Sequence, residues 1–297
     1  MLTLIGTVPE ENFPFVSGTV SLQGKCLSLD GQTTPINRGT PALVAAASAA
    51  CETLGLDPPF SFLVGDEGVG HGSRKLYAHL ETRLPATDAA VVTFHYLQPD
   101  VDWHNRILLA LQERSSLPVM IADAGYMYAA KMSGFAPCYD LFTPDIGEMA
   151  FLADEVAPHP FYTRGFILHR ENDVPTLIKR AYEGENAAKT LLIKGVKDYI
   201  CTGERIVATV DGPEVRALEP MGGTGDTITG MVAALVFGGY PVPEAAAVAA
   251  RANRLAGALA GPTPASQVLE LIEKIPEALE TALTEVPKEQ DEAQVLN

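Results

Sequence analysis

Five short runs of apolar residues, at 60–64, 89–94, 118–122, 139–142 and 190–194, are each bounded by turn-forming residues and contain no alternating polar face. That is the pattern of strands covered on both sides within a parallel sheet. Between them, apolar positions recur at helical spacing over roughly 71–84, 102–115, 126–132, 146–153 and 173–189. Strand following helix in this order implies right-handed crossovers and a doubly wound, mainly parallel α/β sheet with helices on both faces, a three-layer αβα arrangement. Two further strands are predicted at 198–202 and 206–210, and three helices at roughly 225–238, 242–260 and 266–282.

Residues 1–38 are less regular. The segments 19–22 and 25–29 flank Gly24 and predict a hairpin able to form a small lid, ahead of an alanine-rich helix over 41–54. The periodicity ends near 282, so residues 1–282 are read as one domain. Residues 283–297, with Glu285, Glu289, Asp291 and Glu292, are read as an acidic, disordered tail.

A chain of 297 residues can bury about 75% of its unfolded surface and needs no cross-link to hold a core. The four cysteines are scattered without metal-binding or redox spacing and are read as reduced thiols. Lys plus Arg number 21 against 37 Asp plus Glu, a formal charge of −16. This argues against nucleic acid and anionic membranes as partners and leaves a small-molecule substrate. Self-association into a homo-oligomer stays open. The opening MLTLIGTVPEENF lacks a basic start and a cleavage site, and no apolar run approaches the ~20 residues of a membrane span, so a cytoplasmic location is expected.

In doubly wound sheets ligands sit beyond the carboxyl ends of the strands. This singles out His95, Asp123, the segment Thr143 to Glu148, and Gly195. The most informative segment is Met221-Gly-Gly-Thr-Gly-Asp-Thr-Ile-Thr-Gly230. Glycines let backbone N–H groups approach an anion, and the helix beginning near Thr224 adds the positive end of its dipole. Asp226 in that first turn is either a simple first-turn acid or the base that takes a proton from a hydroxyl attacking a phosphoryl group. No Walker-type lysine follows the glycines. Asp145 and Glu148 stand at a strand-to-helix junction, either complementing the helix dipole or holding Mg²⁺.

The segment Gly223-Thr224-Gly225-Asp226 resembles the anion hole of the ribokinase-like superfamily. Ala122-Asp123-Ala124, Thr143-Pro144-Asp145-Ile146-Gly147-Glu148 and Lys194-Gly195 follow the order of motifs in its carbohydrate-kinase-like branch, which includes nucleotide-dependent NAD(P)H-hydrate dehydratases. The resemblance covers most of 89–282. It implies ATP (or ADP) and Mg²⁺ as cofactors, Asp226 as the base, and Gly223, Thr224 and Gly225 as the anion hole. Lys194, Gly195, Gly222 and Thr227 would border the nucleotide, and Glu148 with Asp145 would organise the metal.

Asn37-Arg38-Gly39-Thr40 resembles the sugar-contacting turn of sugar kinases, which makes Asn37, Arg38 and Gly39, with His95 and Asp123, substrate-binding candidates. The chain departs from the branch at 93–99, where Thr-Phe-His-Tyr-Leu-Gln-Pro replaces a glycine-rich loop. Transfer of the terminal phosphoryl group of ATP to a small-molecule hydroxyl is therefore the first expectation. Dehydration of an NAD(P)H hydrate and non-catalytic nucleotide binding are the alternatives.

Overall fold

The computed structural model describes residues 1–157, 173–263 and 265–285. The elements in chain order are β1 (Leu2–Val8), β2 (Val16–Thr19), β3 (Ser21–Gln23), β4 (Cys26–Leu29), β5 (Gln32–Pro35), α1 (Thr40–Thr53), β6 (Phe60–Gly65), α2 (His71–Arg83), β7 (Val91–His95) and α3 (Val101–Gln112). Then come β8 (Val119–Ala122), α4 (Ala124–Met132), β9 (Leu141–Phe142), α5 (Ile146–Leu152), α6 (Val174–Glu183), β10 (Thr190–Ile193), β11 (Asp198–Thr202) and β12 (Arg205–Val210). The chain continues with α7 (Thr224–Phe237), α8 (Val242–Ala260), α9 (Val268–Ile272) and α10 (Ile275–Glu285).

The main sheet has the order β12-β11-β10-β9-β8-β7-β1-β6-β2. Its six inner strands from β10 to β6 are parallel, while β11, β12 and β2 add antiparallel edges. Strand β1 alternates its side chains between two cores: Leu2, Leu4 and Val8 join α1, α7 and α8, whereas Ile5 joins the layer of α2 to α6. Helices thus cover both faces, as the apolar runs require. Helices α1 and α7 pack through small residues. A Cβ added at Gly230 would overlap the carbonyl oxygen of Leu43, and Ala45 to Ala47 face the same core as Ala233 and Ala234.

The predicted hairpin around Gly24 is present as β3 and β4, with β5 adding a third antiparallel strand to a separate small sheet. Strands β1 and β2 go beyond the sequence reading. The helix expected over 173–189 stops at Glu183, where Gly184 caps it and Glu185 takes a positive φ of 54°. The helix expected over 266–282 is broken between Ile272 and Ile275. Its second part runs on to Glu285, which accepts a hydrogen bond from Arg251 Nε at 2.7 Å, so the presumed tail is helical to that point. Residues 286–297 lie outside the described residues. No described helix is long and apolar enough to cross a membrane.

Candidate active site

The carboxyl ends of β1, β6, β7 and β8 converge on a cleft of about 840 Å³, whose walls include Thr7, Asp66, Tyr96, Gln98, Glu148 and Asp226. Asp226 arrives there because Gly223, at φ 98°, turns the chain into α7 through the left-handed region. A side chain at Gly223 would also press on Val268 and on the backbone of Arg38 at 3.1–3.2 Å. No side chain caps this helix start, so its first-turn N–H groups remain available to an anion. Arg38, Gly39, Gly222 and Gly223 line the same cleft, and Arg38 is exposed.

The Asp226 carboxylate is held at both oxygens. Oδ2 accepts from the backbone N–H of Gly39 at 2.7 Å, and Oδ1 is 3.0 Å from His95 Nε2. Burial alone would raise its pKa, but the hydrogen bond with His95, together with Lys194 and Gly39, brings it below the ordinary carboxylate value. Asp226 is therefore an ionised acceptor at the cleft wall, as a proton-abstracting base must be.

Behind it lies a second buried layer. Asp123 takes the ammonium of Lys194 at 3.1 and 3.0 Å, the N–H of Ala124 at 2.8 Å and the hydroxyl of Thr229 at 2.7 Å. Thr229 in turn meets Thr143 at 2.9 Å. Burial would lower the pKa of Lys194, yet Asp123, Glu148 and Asp226 raise it, so the lysine stays charged. Lys194 also underlies the glycine turn: its Nζ would be 3.6 Å from a Cβ at Gly225. His95, Asp123 and Asp226 bring potential ligand atoms within 4.8 Å of one another. Their own hydrogen bonds, with the Lys194 ammonium, account for that convergence.

Glu148 is half-buried and lines the cleft. Burial and the charges of Asp123 and Asp145 push its pKa up to about 8, against the opposing effect of Lys194. A carboxylate so short of positive charge suits a cation, and Glu148 fits the Mg²⁺ role expected of it. Asp145 fits less well. It is exposed, and with Glu148 it closes a reciprocal cap of α5, Asp145 N–H to Glu148 Oε2 at 2.8 Å and Glu148 N–H to Asp145 Oδ1 at 2.7 Å.

Several sequence candidates take other positions. His95 and Asp123 are 0% and 1% exposed and stand behind the cleft wall, so neither presents the direct substrate contact expected of it. Asn37 lines a separate cavity of about 270 Å³ on the far side of Arg38 and Gly222. Thr227 is fully buried, its hydroxyl donating to Thr224 O at 2.8 Å and Asn253 Oδ1 at 2.6 Å, so it supports the turn from beneath. Gly195 donates to Asp198 at 3.0 Å. Arg254 clamps that turn through Asp198, Gly195 O and Val196 O, and Arg251 bonds Glu285 and Gly212 O.

Gly6 and Tyr128 escape the sequence reading, as do the roles of Thr40 and Thr229 within the segments it singles out. Among them only Gly6, a glycine inside an apolar run, carries a signal: close backbone approach. A Cβ there would lie 2.5 Å from His95 O and from Thr40 Oγ1.

Comparison with known proteins agrees with this architecture. The family model described as NAD(P)H-hydrate dehydratase matches residues 98–277. An uncharacterized protein of Methanocaldococcus jannaschii is 40% identical over 74% of this chain and 90% of its own length. The ADP-dependent (S)-NAD(P)H-hydrate dehydratase of Cenarchaeum symbiosum is 28% identical, the match covering half of each chain. A ribokinase-like superfamily protein of Enterococcus faecalis has the same fold, with a TM-score of 0.53 over 94% of this chain and 86% of its own at 16% identity. The chain belongs to the NAD(P)H-hydrate dehydratase family and has a ribokinase-like fold.

Proposed function

We propose that the protein is an ATP- or ADP-dependent NAD(P)H-hydrate dehydratase that begins by phosphorylating the hydroxyl of the hydrated ring. The observation that carries this reading is the two-point hold on an ionised Asp226 at the cleft wall, in the first turn of a glycine-started helix, within the family span. Asp226 removes the hydroxyl proton as the oxygen takes the terminal phosphoryl group. The N–H groups of the 223–225 turn and the helix dipole offset the charge on the transferring group. The carbon–oxygen bond then breaks with its electron pair leaving on phosphate. The ring nitrogen supplies the push, and loss of a proton from the adjacent carbon restores the double bond.

Arg38 has no ion-pair partner among the described residues and stands where it can meet phosphate oxygens. Glu148 would hold Mg²⁺, which neutralises nucleotide phosphates when bound.

The test supplies NADH hydrate with ATP or ADP and follows the return of NADH absorbance. Asp226→Asn should lower turnover by about 10²–10⁴-fold while nucleotide binding, read by thermal shift, persists. Comparable turnover in that variant removes Asp226 as the base. Protection against unfolding by ATP, with neither binding nor any consumption of ATP changed in Asp226→Asn, would favour the non-catalytic reading.

A kinase acting on a smaller hydroxyl compound is the second reading, favoured by the cleft wall at 96–98. Tyr96, at φ 48° and 49% exposed, and Gln98, bonded to Gly68 O at 2.7 Å, fill the place where the resemblance expects a glycine-rich loop. A stable phosphate ester, with no recovery of NADH from hydrate, selects this reading.

A further inference from the structure

We propose that His95, anchored by Thr40, is a positioning residue that orients the Asp226 carboxylate for proton removal. This rests on Asp226 being the base. His95 is fully buried and absent from the cleft wall, so it acts through Asp226 and not on substrate. Both ring nitrogens are engaged: Nε2 with Asp226 Oδ1 at 3.0 Å and Nδ1 with Thr40 Oγ1 at 2.9 Å. When the Thr40 hydroxyl donates to Nδ1, the ring proton sits on Nε2 and points at the carboxylate.

Gly39 N–H grips the other oxygen at 2.7 Å. Two donors on two oxygens fix rotation about the Cβ–Cγ bond of Asp226 and leave its remaining lone pairs for the cleft. The three parts come from distant chain segments, the end of β7 and the starts of α1 and α7, separated by 55 and 131 residues. They meet because Gly6 lets β1 run beneath His95 and Thr40.

Charged and titratable groups around the pair are Asp123, 3.9 Å from Nε2, the Tyr96 ring, edge-on to the imidazole at 4.3 Å, and Lys194 and Glu148 around Asp123. His95 also helps to hold Asp226 below the ordinary carboxylate value, which agrees with the same role. His95, Thr40 and Gly39 all precede the family-matched span of 98–277. The device therefore joins a family residue to a part of the chain that the family model does not describe.

Three variants, His95→Leu, His95→Gln and Thr40→Val, would be assayed with NADH hydrate and ATP across pH, beside Asp226→Asn. His95→Leu is expected to lower kcat by about 10²-fold, a loss of the size seen when one preorganising partner is removed, with KM nearly unchanged. The acid limb of its pH profile moves upward. His95→Gln, whose side-chain amide can donate to Asp226, recovers most of kcat, and Thr40→Val costs about tenfold, one hydrogen bond's worth. If His95→Leu does not fold, the acid limb of His95→Gln and the loss in Thr40→Val carry the test.

An unchanged kcat and acid limb, a rise in KM alone, or no rescue by glutamine each overturns the proposal. A readout free of substrate is the nuclear magnetic resonance of isotope-labelled histidine in the full chain. Asp226→Asn must shift the His95 ring signal, and an unmoved signal sinks the coupling. If Asp226→Asn itself keeps turnover, the base assignment fails. Loss in Asp226→Asn with full activity in His95→Leu overturns only the role given to His95.

Discussion

The Lys194 ammonium lies within 3.1 Å of both Asp123 oxygens, and their side chains are 13% and 2% exposed. Removing one member of such a pair leaves a charge in a poorly solvated place. Lys194→Met should therefore destabilise the fold by about 3–5 kcal/mol, read as a lowered midpoint in denaturant unfolding. A midpoint within error of the parent would show that Asp123 is solvated or neutral.

Glu148 gives a prediction of opposite kind. Its pKa is raised from 4.5 to about 8, so the folded state keeps a proton that the unfolded state releases. Stability from this group is fully present below pH 4.5 and falls as pH climbs through about 8. Glu148→Gln retains an oxygen for the α5 cap and cannot ionise. Its melting temperature should gain on the parent's as the solution becomes alkaline, and parallel curves would refute the shift. Of these residues, Asp226, Lys194 and Glu148 were legible in the sequence because each sits in a short motif. The His95–Asp226 bond was not, since no local pattern links residues 131 positions apart.

Helices α1 and α7 hold the site as much as its side chains do, because the bond from Gly39 to Asp226 joins their first turns. Gly230→Ala would force these helices apart against the Leu43 carbonyl. The expected cost is about 1–3 kcal/mol from overpacking, together with lower turnover, both absent if the helices can slide. Elements buried on both faces, such as β6, β7 and β10, were readable as apolar runs interrupted within by no more than one Ser or Thr. Strand β1 was not, although all seven of its residues are buried: Thr3, Gly6 and Thr7 interrupt its hydrophobicity. Gly6 and Thr7 have a visible purpose, one admitting His95 and Thr40, the other donating to Tyr96 O at 2.7 Å. The overlong reading of α6 ignored Gly184, and the fused reading of α9 and α10 ignored the break before Pro276.

At the scale of the molecule, a net charge of −16 repels an incoming nucleotide until it reaches the local field of Lys194 and the glycine turn. Screening acts over about 10 Å at 0.1 M salt and weakens the long-range repulsion more than the contacts in the cleft. The association rate of ATP should thus rise with ionic strength in stopped-flow measurements, and a falling rate would mean that local attraction governs approach. The global α/β architecture followed from the alternation of runs. The substrate did not, because the cleft is walled both by residues of the family span and by earlier ones such as Thr7, Arg38 and Asp66.

Strand β1 occupies the middle of the sheet, yet both neighbours, β6 and β7, are made later, the second ending at His95. During synthesis at about 5–20 residues per second, the segment waits roughly 5–20 s for its mates. A strand buried at all seven positions, emerging before its neighbours and unmatched, is an invitation to sticky encounters between nascent chains. Production of this protein should accordingly benefit from trigger-factor-like holding chaperones, more than its acidic, well-covered native surface would suggest.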